Sequence, residues 1–441
     1  MTLPAPPRGI EPVTGDARAL GFWDAVVLWG DLGIGLLVLF AGSLLVPGLS
    51  LPLALLAIVL GSLVGVALLA LAGVPSSLTG VPTMVMLRGV LGVRGSWVPT
   101  ALNVVQLLGW TIFELVIMGH AANAASKRLL GWDAYWFWVA VPTALVIWLG
   151  VWGPLAVVRR FLGRFAVWLM LGTTVYLTWV LFARYDLGPL WTRPGAGGFP
   201  GFWGAVDLVI AMPISWMPLV GDYSRLARHP APVAWGTAVG YLVANVWFYS
   251  LGALIVLAAS VTPEPKGFVE AIVVLAGPLA LLLLLVDETD EAWADLYSCA
   301  VSIQNVFPGA SQTALIGALG AGSFAVALVL DVTRYESFLL LIGSVFVPLF
   351  GVLAADFYLL GRRYGVAALF QEREGRRVRW SALAAWLLGA LGYHAIAGTL
   401  VPLGIAGAPW LGASLPSFFL AIAVYTLRER TRADAGGGAP A

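Results

Sequence analysis

Apolar residues fall in blocks of about 20 along the whole chain, each long enough to cross a hydrocarbon core ~30 Å thick. The pattern predicts helices over 23–46, 51–73, 97–125, 134–152, 161–182 and 202–220 in the first half. The second half predicts 233–259, 278–307, 313–330, 337–360, 380–396 and 410–427. Residues 267–276 read as a short external helix leading into the eighth span. The stretch 80–92 is too short and too Gly-rich to span and reads as a cytoplasmic connection. The expected fold is an all-α membrane protein of about twelve spans.

Composition agrees. Of 441 residues, 60% are hydrophobic and 11% charged, and the mean hydropathy is +0.92. A soluble domain carries roughly 25% charged residues, so this chain lacks the polar surface to face water. The net charge of +1 and the absence of a basic run give no sign of nucleic-acid binding. Cys299 is the single cysteine, and the three histidines (His120, His229, His394) lie far apart. A disulfide framework, a haem site and a His-rich metal enzyme are therefore excluded as expectations. The Pro-rich start has no apolar stretch ending in a cleavage site and reads as a cytoplasmic tail.

Lys and Arg in the loops set the orientation. With both termini inside, the outer side keeps Lys127, Arg128, Arg184, Arg193, Lys266 and Arg334. The inner side holds 18 basic residues against those 6, which accounts for all 24. A wrong helix number would scramble this bias. The expectation is a multi-pass protein of the cell membrane with cytoplasmic termini.

Two spans are interrupted. The first contains Trp29-Gly-Asp-Leu-Gly-Ile-Gly35, and the sixth contains Ala211-Met-Pro-Ile-Ser-Trp-Met-Pro218. Proline removes a backbone donor and clashes with the preceding turn, which predicts a kink or unwinding near Pro213. Either break alone reads equally well as a simple kink. Their pairing in matching members of two five-helix halves points to an inverted-repeat transporter, with unwound backbone free to hold a cation and a polar substrate. No residue-level repeat relates the halves.

The eighth span carries the strongest signal. At 100° per residue, Asp287, Glu288, Asp290, Glu291 and Asp295 fall within one arc of about 160°, and Ser298, Ser302 and Asn305 continue that face. Each acid at a helix centre costs about 2.5–3.5 kcal/mol on the insertion scale, against ~0.5 gained per leucine. That face must line a hydrated cavity or bind cations. The alternative, an external acidic loop between two short segments, leaves both segments too short to cross. So many carboxylates without a base nearby need a cation or protons, which is the chemistry of ion coupling.

The third span adds Asn103, Gln106, Trp110 and Glu114, the last three spaced by four on one stripe. An aromatic plate flanked by an amide and a carboxylate suits a flat heterocycle bearing amino and ring-nitrogen groups. For Asn103 and Gln106, hydrogen-bonded glue between helices is an equal reading. For Glu114, an intramembrane carboxylate, a functional role leads.

Five segments in order resemble the nucleobase–cation symporter-1 family of cytosine permeases and hydantoin, allantoin and hydroxymethylpyrimidine transporters. They are the Gly-rich first span with Gly42, Leu87-Arg-Gly-Val-Leu-Gly-Val-Arg-Gly-Ser96, Asn103-Val-Val-Gln-Leu-Leu-Gly-Trp110, Gly221-Asp-Tyr-Ser-Arg225 and Leu296-Tyr-Ser298. The resemblance implies a LeuT-like fold of two inverted five-helix repeats, 23–182 and 202–360, with discontinuous helices one and six. Two extra helices over 380–427 and tails at 1–22 and 428–441 complete it; 433–441 reads as disordered. It further implies a substrate site of Gln106, Trp110, Glu114, Ser215, Trp216 and Asp287. A cation site is implied at Gly30, Asp31, Gly33, Asp290 and Glu291, where acids replace the family's hydroxyls and leave Na+ or H+ open as the coupling ion.

Phe113-Glu-Leu-Val-Ile-Met118 and Asp287-Glu-Thr-Asp-Glu-Ala292 most resemble the hydroxymethylpyrimidine branch, which carries a thiamine precursor. The expected activity is cation-coupled uptake of that pyrimidine, with cytosine or another purine or pyrimidine base as the alternative. No cofactor, no metal beyond sodium, no nucleic acid and no obligatory protein partner is expected. Readings from other classes are an intramembrane aspartyl enzyme using Asp31 with Asp287, and a passive channel.

Overall fold

Glycine and proline decide where this apolar chain stops being helical. The computed structural model describes residues 9–158, 162, 167–330, 335–371 and 377–435. Among them, the sole β feature is an isolated bridge between Leu20 and Ala227. The helices begin with α1 (Phe22–Asp31), α2 (Leu36–Ser43), α3 (Leu51–Thr79), α4 (Thr83–Leu91), α5 (Trp97–Leu130), α6 (Tyr135–Trp152), α7 (Pro154–Ala156), α8 (Val167–Arg184) and α9 (Gly188–Thr192). They continue with α10 (Phe202–Ser215), α11 (Val220–Ser224), α12 (Pro230–Ala259), α13 (Pro265–Val306), α14 (Gln312–Ala327), α15 (Tyr335–Ala354), α16 (Val366–Phe370), α17 (Trp380–Ala397) and α18 (Ser414–Ala435). Among the described residues, seven helices are long and apolar enough to cross a membrane, or eight when α1 and α2 count as one bent span.

The first break falls where the glycines are. Helix α1 ends at Asp31, Gly35 is extended (φ −179°, ψ 168°), and α2 restarts at Leu36. The two halves are bent by 61°. In the sixth span the chain stays helical through Pro213 and unwinds after Ser215, two residues later than expected. The residue preceding a proline disfavours helix, so Pro218 accounts for the unwound stretch before it; α11 restarts at Val220. In α13 the helical path is interrupted at Gly277 (φ 86°, ψ 166°). This sets off a short apolar helical piece, Gly267–Gly277, from the acidic segment. The acids therefore lie within helix, and the external-loop alternative is overturned.

Helix α12 packs backbone to backbone on the broken first span. A Cβ on Gly252 would lie 1.8 Å from the Leu39 carbonyl oxygen, and one on Gly42 would lie 2.1 Å from that of Tyr249. Small residues allow this approach, which is how helices associate where lipid offers no hydrophobic drive. The most extensive helix contact joins α13 to α5, and it carries the polar site. Helices α17 and α18 pack on α15 and on each other.

Several expected boundaries move. Within the expected N-terminal tail, Val13 N–H donates to Gly80 O at 2.8 Å, and the Arg18 guanidinium donates to Ser77 and Leu78 carbonyls. Ile10 and Val13 are buried. The connection at 80–92 contains a buried helix, α4. The last helix runs to Ala435, so 428–435 continues it and is not a loose tail. Residue 161, the expected start of the fifth span, and residues 436–441 lie outside the described residues.

Candidate functional site

The facing stripes of α5 and α13, closed by the two breaks, form the site. Trp110 and Glu114 from α5, Glu291 and Asp295 from α13, Leu37 from α2, and Met212, Ser215 and Trp216 at the sixth-span break line one cavity. Its volume is about 10 Å³, room for about one water. A heterocycle enters only if the walls separate. Trp110 meets Tyr335 and Phe338 edge-on, with ring centroids 5.7 and 5.3 Å apart, and Trp216 meets Trp29 at 6.2 Å. Two indoles thus face the cavity from different elements, each fixed by an aromatic neighbour.

The acids are buried and their contacts are specific. Glu288 Oε2 accepts the Leu36 N–H at 2.6 Å, and the Leu37 N–H also reaches this carboxylate. It caps the second half of the broken first span, where helix geometry leaves orphan donors and a partial positive charge. Gly35 permits this: a Cβ there would lie 2.8 Å from Glu291 Oε1 and 2.9 Å from Glu288 Oε2. Asp31 meets Asp290, and Glu114 meets Asp295, in carboxyl–carboxyl contacts. A hydrogen bond between two carboxyl groups needs a proton on one of them.

The expected site residues sort into three groups. Trp110, Glu114, Ser215, Trp216 and Glu291 line the cavity. Gln106 lies beside it, donating through Nε2 to Ser215 O at 2.6 Å and to Asn103 Oδ1 at 3.2 Å. Asn103 in turn donates to Ser302 Oγ at 2.9 Å, so this amide pair ties α5 to α13 and to the sixth-span break. Asp31 and Asp290 form their own pair. Gly30 packs on the Gly240 backbone, and Gly33 on Ala244, Trp29 O and Tyr241 O. The Asp287 side chain lies outside the described residues. Among these, no three His, Cys, Asp or Glu side chains converge as a metal site.

Two contributors carry no assignment from the sequence. Asp295 is in the acidic arc, one turn from Glu291, but nothing in the sequence shows its pairing with Glu114. Leu37 gives no sequence signal, because apolar residues surround it, whereas Met212 falls within the interrupted stretch Met212–Trp216 that the resemblance implies. At the end of the bundle beside the N-terminal segment, the Gly221–Arg225 motif closes the structure. Asp222 Oδ1 accepts the Thr83 N–H at 3.1 Å, and Arg225 donates to Gly9 O at 2.8 Å and to Tyr297 Oη at 3.1 Å. From α4, Arg88 grips both the side-chain and main-chain oxygens of Asn305, at 2.7 and 2.8 Å.

An apolar helical bundle with two broken spans around a cavity lined by indoles and carboxyls is the architecture of a secondary transporter. The chain belongs to the family of permeases for cytosine/purines, uracil, thiamine and allantoin, whose model matches residues 12–409. It is 24% identical over 410 residues to the hydantoin permease of Microbacterium maritypicum, covering 84% of this chain and 80% of that one. It is 26% identical over 396 residues to the allantoin permease of Bacillus subtilis (strain 168), covering 79% and 78%. Among solved structures it resembles Mhp1, a nucleobase-cation-symport-1 family transporter, in a closed conformation with bromovinylhydantoin bound. The TM-score is 0.82 at 20% identity, over 98% of this chain and 97% of Mhp1. A Na+-coupled sialic acid symporter matches with a TM-score of 0.65 at 12% identity, over 94% and 91%. The fold is thus LeuT-like, and membership in a family of permeases replaces the intramembrane-enzyme reading.

Proposed function

We propose that this permease takes up an aminopyrimidine by cation-coupled alternating access, with hydroxymethylpyrimidine first and cytosine second. The observation that carries this reading is the cavity itself. Trp110 and Trp216 offer flat apolar faces, and the polar groups between them are the carboxyls of Glu114, Glu291 and Asp295. Acidic groups suit a ring with an exocyclic amine and a ring nitrogen. Uracil and hydantoin lack the exocyclic amine and present a carbonyl oxygen at that place, where a second carboxylate finds no donor. Asp287 and Gln106 are assigned to the same site, Asp287 as a ring contact and Gln106 as the tie that holds the sixth-span break. The coupling ion is assigned to the acids between the first-span break and α13, namely Asp31, Asp290 and Glu291, beside Gly30 and Gly33.

The loop charges support an orientation with both termini cytoplasmic in the cell membrane, and the paired breaks support two five-helix repeats that move against each other. Uptake in proteoliposomes tests the reading, using labelled hydroxymethylpyrimidine, cytosine and uracil under imposed sodium or proton gradients. Gradient-driven accumulation of hydroxymethylpyrimidine, lost in Trp110→Ala, is the expected result. Accumulation of cytosine alone replaces the substrate and keeps the mechanism. No gradient-dependent uptake of any heterocycle by folded protein refutes it.

A further inference from the structure

Glu114 and Asp295 are contributed by the two helices that pack most extensively on each other, and both line the cavity. Their carboxyls meet, while Glu114 Oε2 and Asp295 Oδ2 are buried without a protein partner, as is the Trp110 indole N–H. Both residues are at most 2% exposed. The charged and titratable groups that reach the pair are Glu288 and Glu291 from α13, Tyr223 from α11, Tyr241 from α12 and Cys299. None of these is basic. Arg225 acts instead on Asp222. The pair thus meets without a compensating cation among these groups, so a proton is what allows its two oxygens to touch.

From this we infer that Glu114 and Asp295 form a proton-dependent recognition site for the N–C–NH2 edge of an aminoheterocycle, in which the one proton shared by the pair must be present for the ring to bind. The inference rests on the functional reading above and narrows it. A carboxylic acid offers one donor and one acceptor side by side, and an ionised carboxylate offers acceptors only. An aminopyrimidine edge offers the complement: a ring-nitrogen lone pair beside an amine with two hydrogens. When the ring enters, the hydrogen bond within the pair opens. The protonated carboxyl donates its O–H to the ring nitrogen and accepts one amine hydrogen, and the ionised partner accepts the other. No covalent bond changes apart from the position of that proton, which stays in the site while the ring is bound.

The same site disfavours an oxo ring. The protonated carboxyl still pairs with a lactam edge, donating to its carbonyl and accepting its N–H, but the ionised partner then faces the carbonyl oxygen and is left without a donor. The lost charge-assisted hydrogen bond makes this discrimination roughly ten- to a hundredfold. Loss of the proton weakens the amino ring's binding as well, by about tenfold per pH unit once the free pair has lost its proton.

The test is equilibrium binding to the purified, detergent-solubilised protein in sodium-free buffer from pH 5 to 9, read by tryptophan fluorescence and by labelled ligand. The ligands are hydroxymethylpyrimidine and its analogue with oxygen in place of the amine. The expected result is tighter binding of the amino ring and a dissociation constant rising about tenfold per pH unit at the alkaline end. Glu114→Gln, whose amide supplies donor and acceptor without a proton, flattens the slope. A wild-type slope of zero overturns the inference without need of a variant, as does equal affinity for the oxo analogue. Failure of every heterocycle to bind overturns the functional reading itself, so the two failures are distinct.

Discussion

Replacing Glu288 by alanine removes the acceptor for two backbone donors at the start of α2, in a place water does not reach. Glu288 is fully buried, and its Oε2 lies 2.6 Å from Leu36 N, with the Leu37 N–H as second donor. Leaving a buried donor unsatisfied costs about 1–3 kcal/mol, so the two together cost roughly 2–6 kcal/mol. The lost attraction between a carboxylate and a helix N-terminus lies within the same range. Taking about 2–4 kcal/mol as the part felt by local opening, exchange at these amides accelerates by roughly 30- to 800-fold. The assay is hydrogen–deuterium exchange by mass spectrometry on a peptide covering 35–43, in wild type, Glu288→Ala and Glu288→Gln. The glutamine variant keeps a carbonyl acceptor and falls between the other two. Unchanged exchange in Glu288→Ala refutes the capping argument. A glutamine variant as fast as alanine assigns the effect to charge and not to the acceptor.

Gly252→Ala places a Cβ 1.8 Å from the Leu39 carbonyl oxygen; overpacking costs about 1–3 kcal/mol even where neighbours adjust, and backbone adjusts least. The expected outcome is loss of monodisperse protein in size-exclusion chromatography. Arg88→Lys removes the paired grip on Asn305 while keeping the charge, and charge-assisted hydrogen bonds contribute about 1.5–3 kcal/mol each. Its apparent melting temperature falls almost as far as that of Arg88→Ala, because an ammonium cannot reproduce the fork. At the end of α18, burial raises the Glu429 carboxyl, but hydrogen bonds from Ser381 and Arg362 outweigh it and hold it below the ordinary 4.5. The clasp it makes with Arg362, at 2.7 Å, therefore stabilises fully above about pH 4.5 and is lost as pH falls through the lower folded value. Thermal unfolding across pH 3–6 shows that acid-side loss, and Glu429→Gln lacks it.

The sequence by itself determined the class of fold and the places where it breaks. Hydropathy blocks identify spans because lipid accepts only closed backbone hydrogen bonding. Glycine at 33 and 35 marks where that bonding fails, through local rules that need no neighbour; in the sixth span Pro213 points to a break that the structure places just after Ser215. The acidic face of α13 was legible for the same reason: helical periodicity alone puts Glu288, Asp290, Glu291 and Asp295 on one side. Which carboxyl meets which was not legible. Glu114 and Asp295 are 181 positions apart in sequence, and their contact depends on the register with which α5 and α13 pack. The role of Glu288 likewise required knowing that α2 restarts beside it, and Gly42 and Gly252 gained their meaning only once α12 lay on the first span. Local geometry sets which way a side chain points along its own helix; only packing between distant segments decides what it meets there.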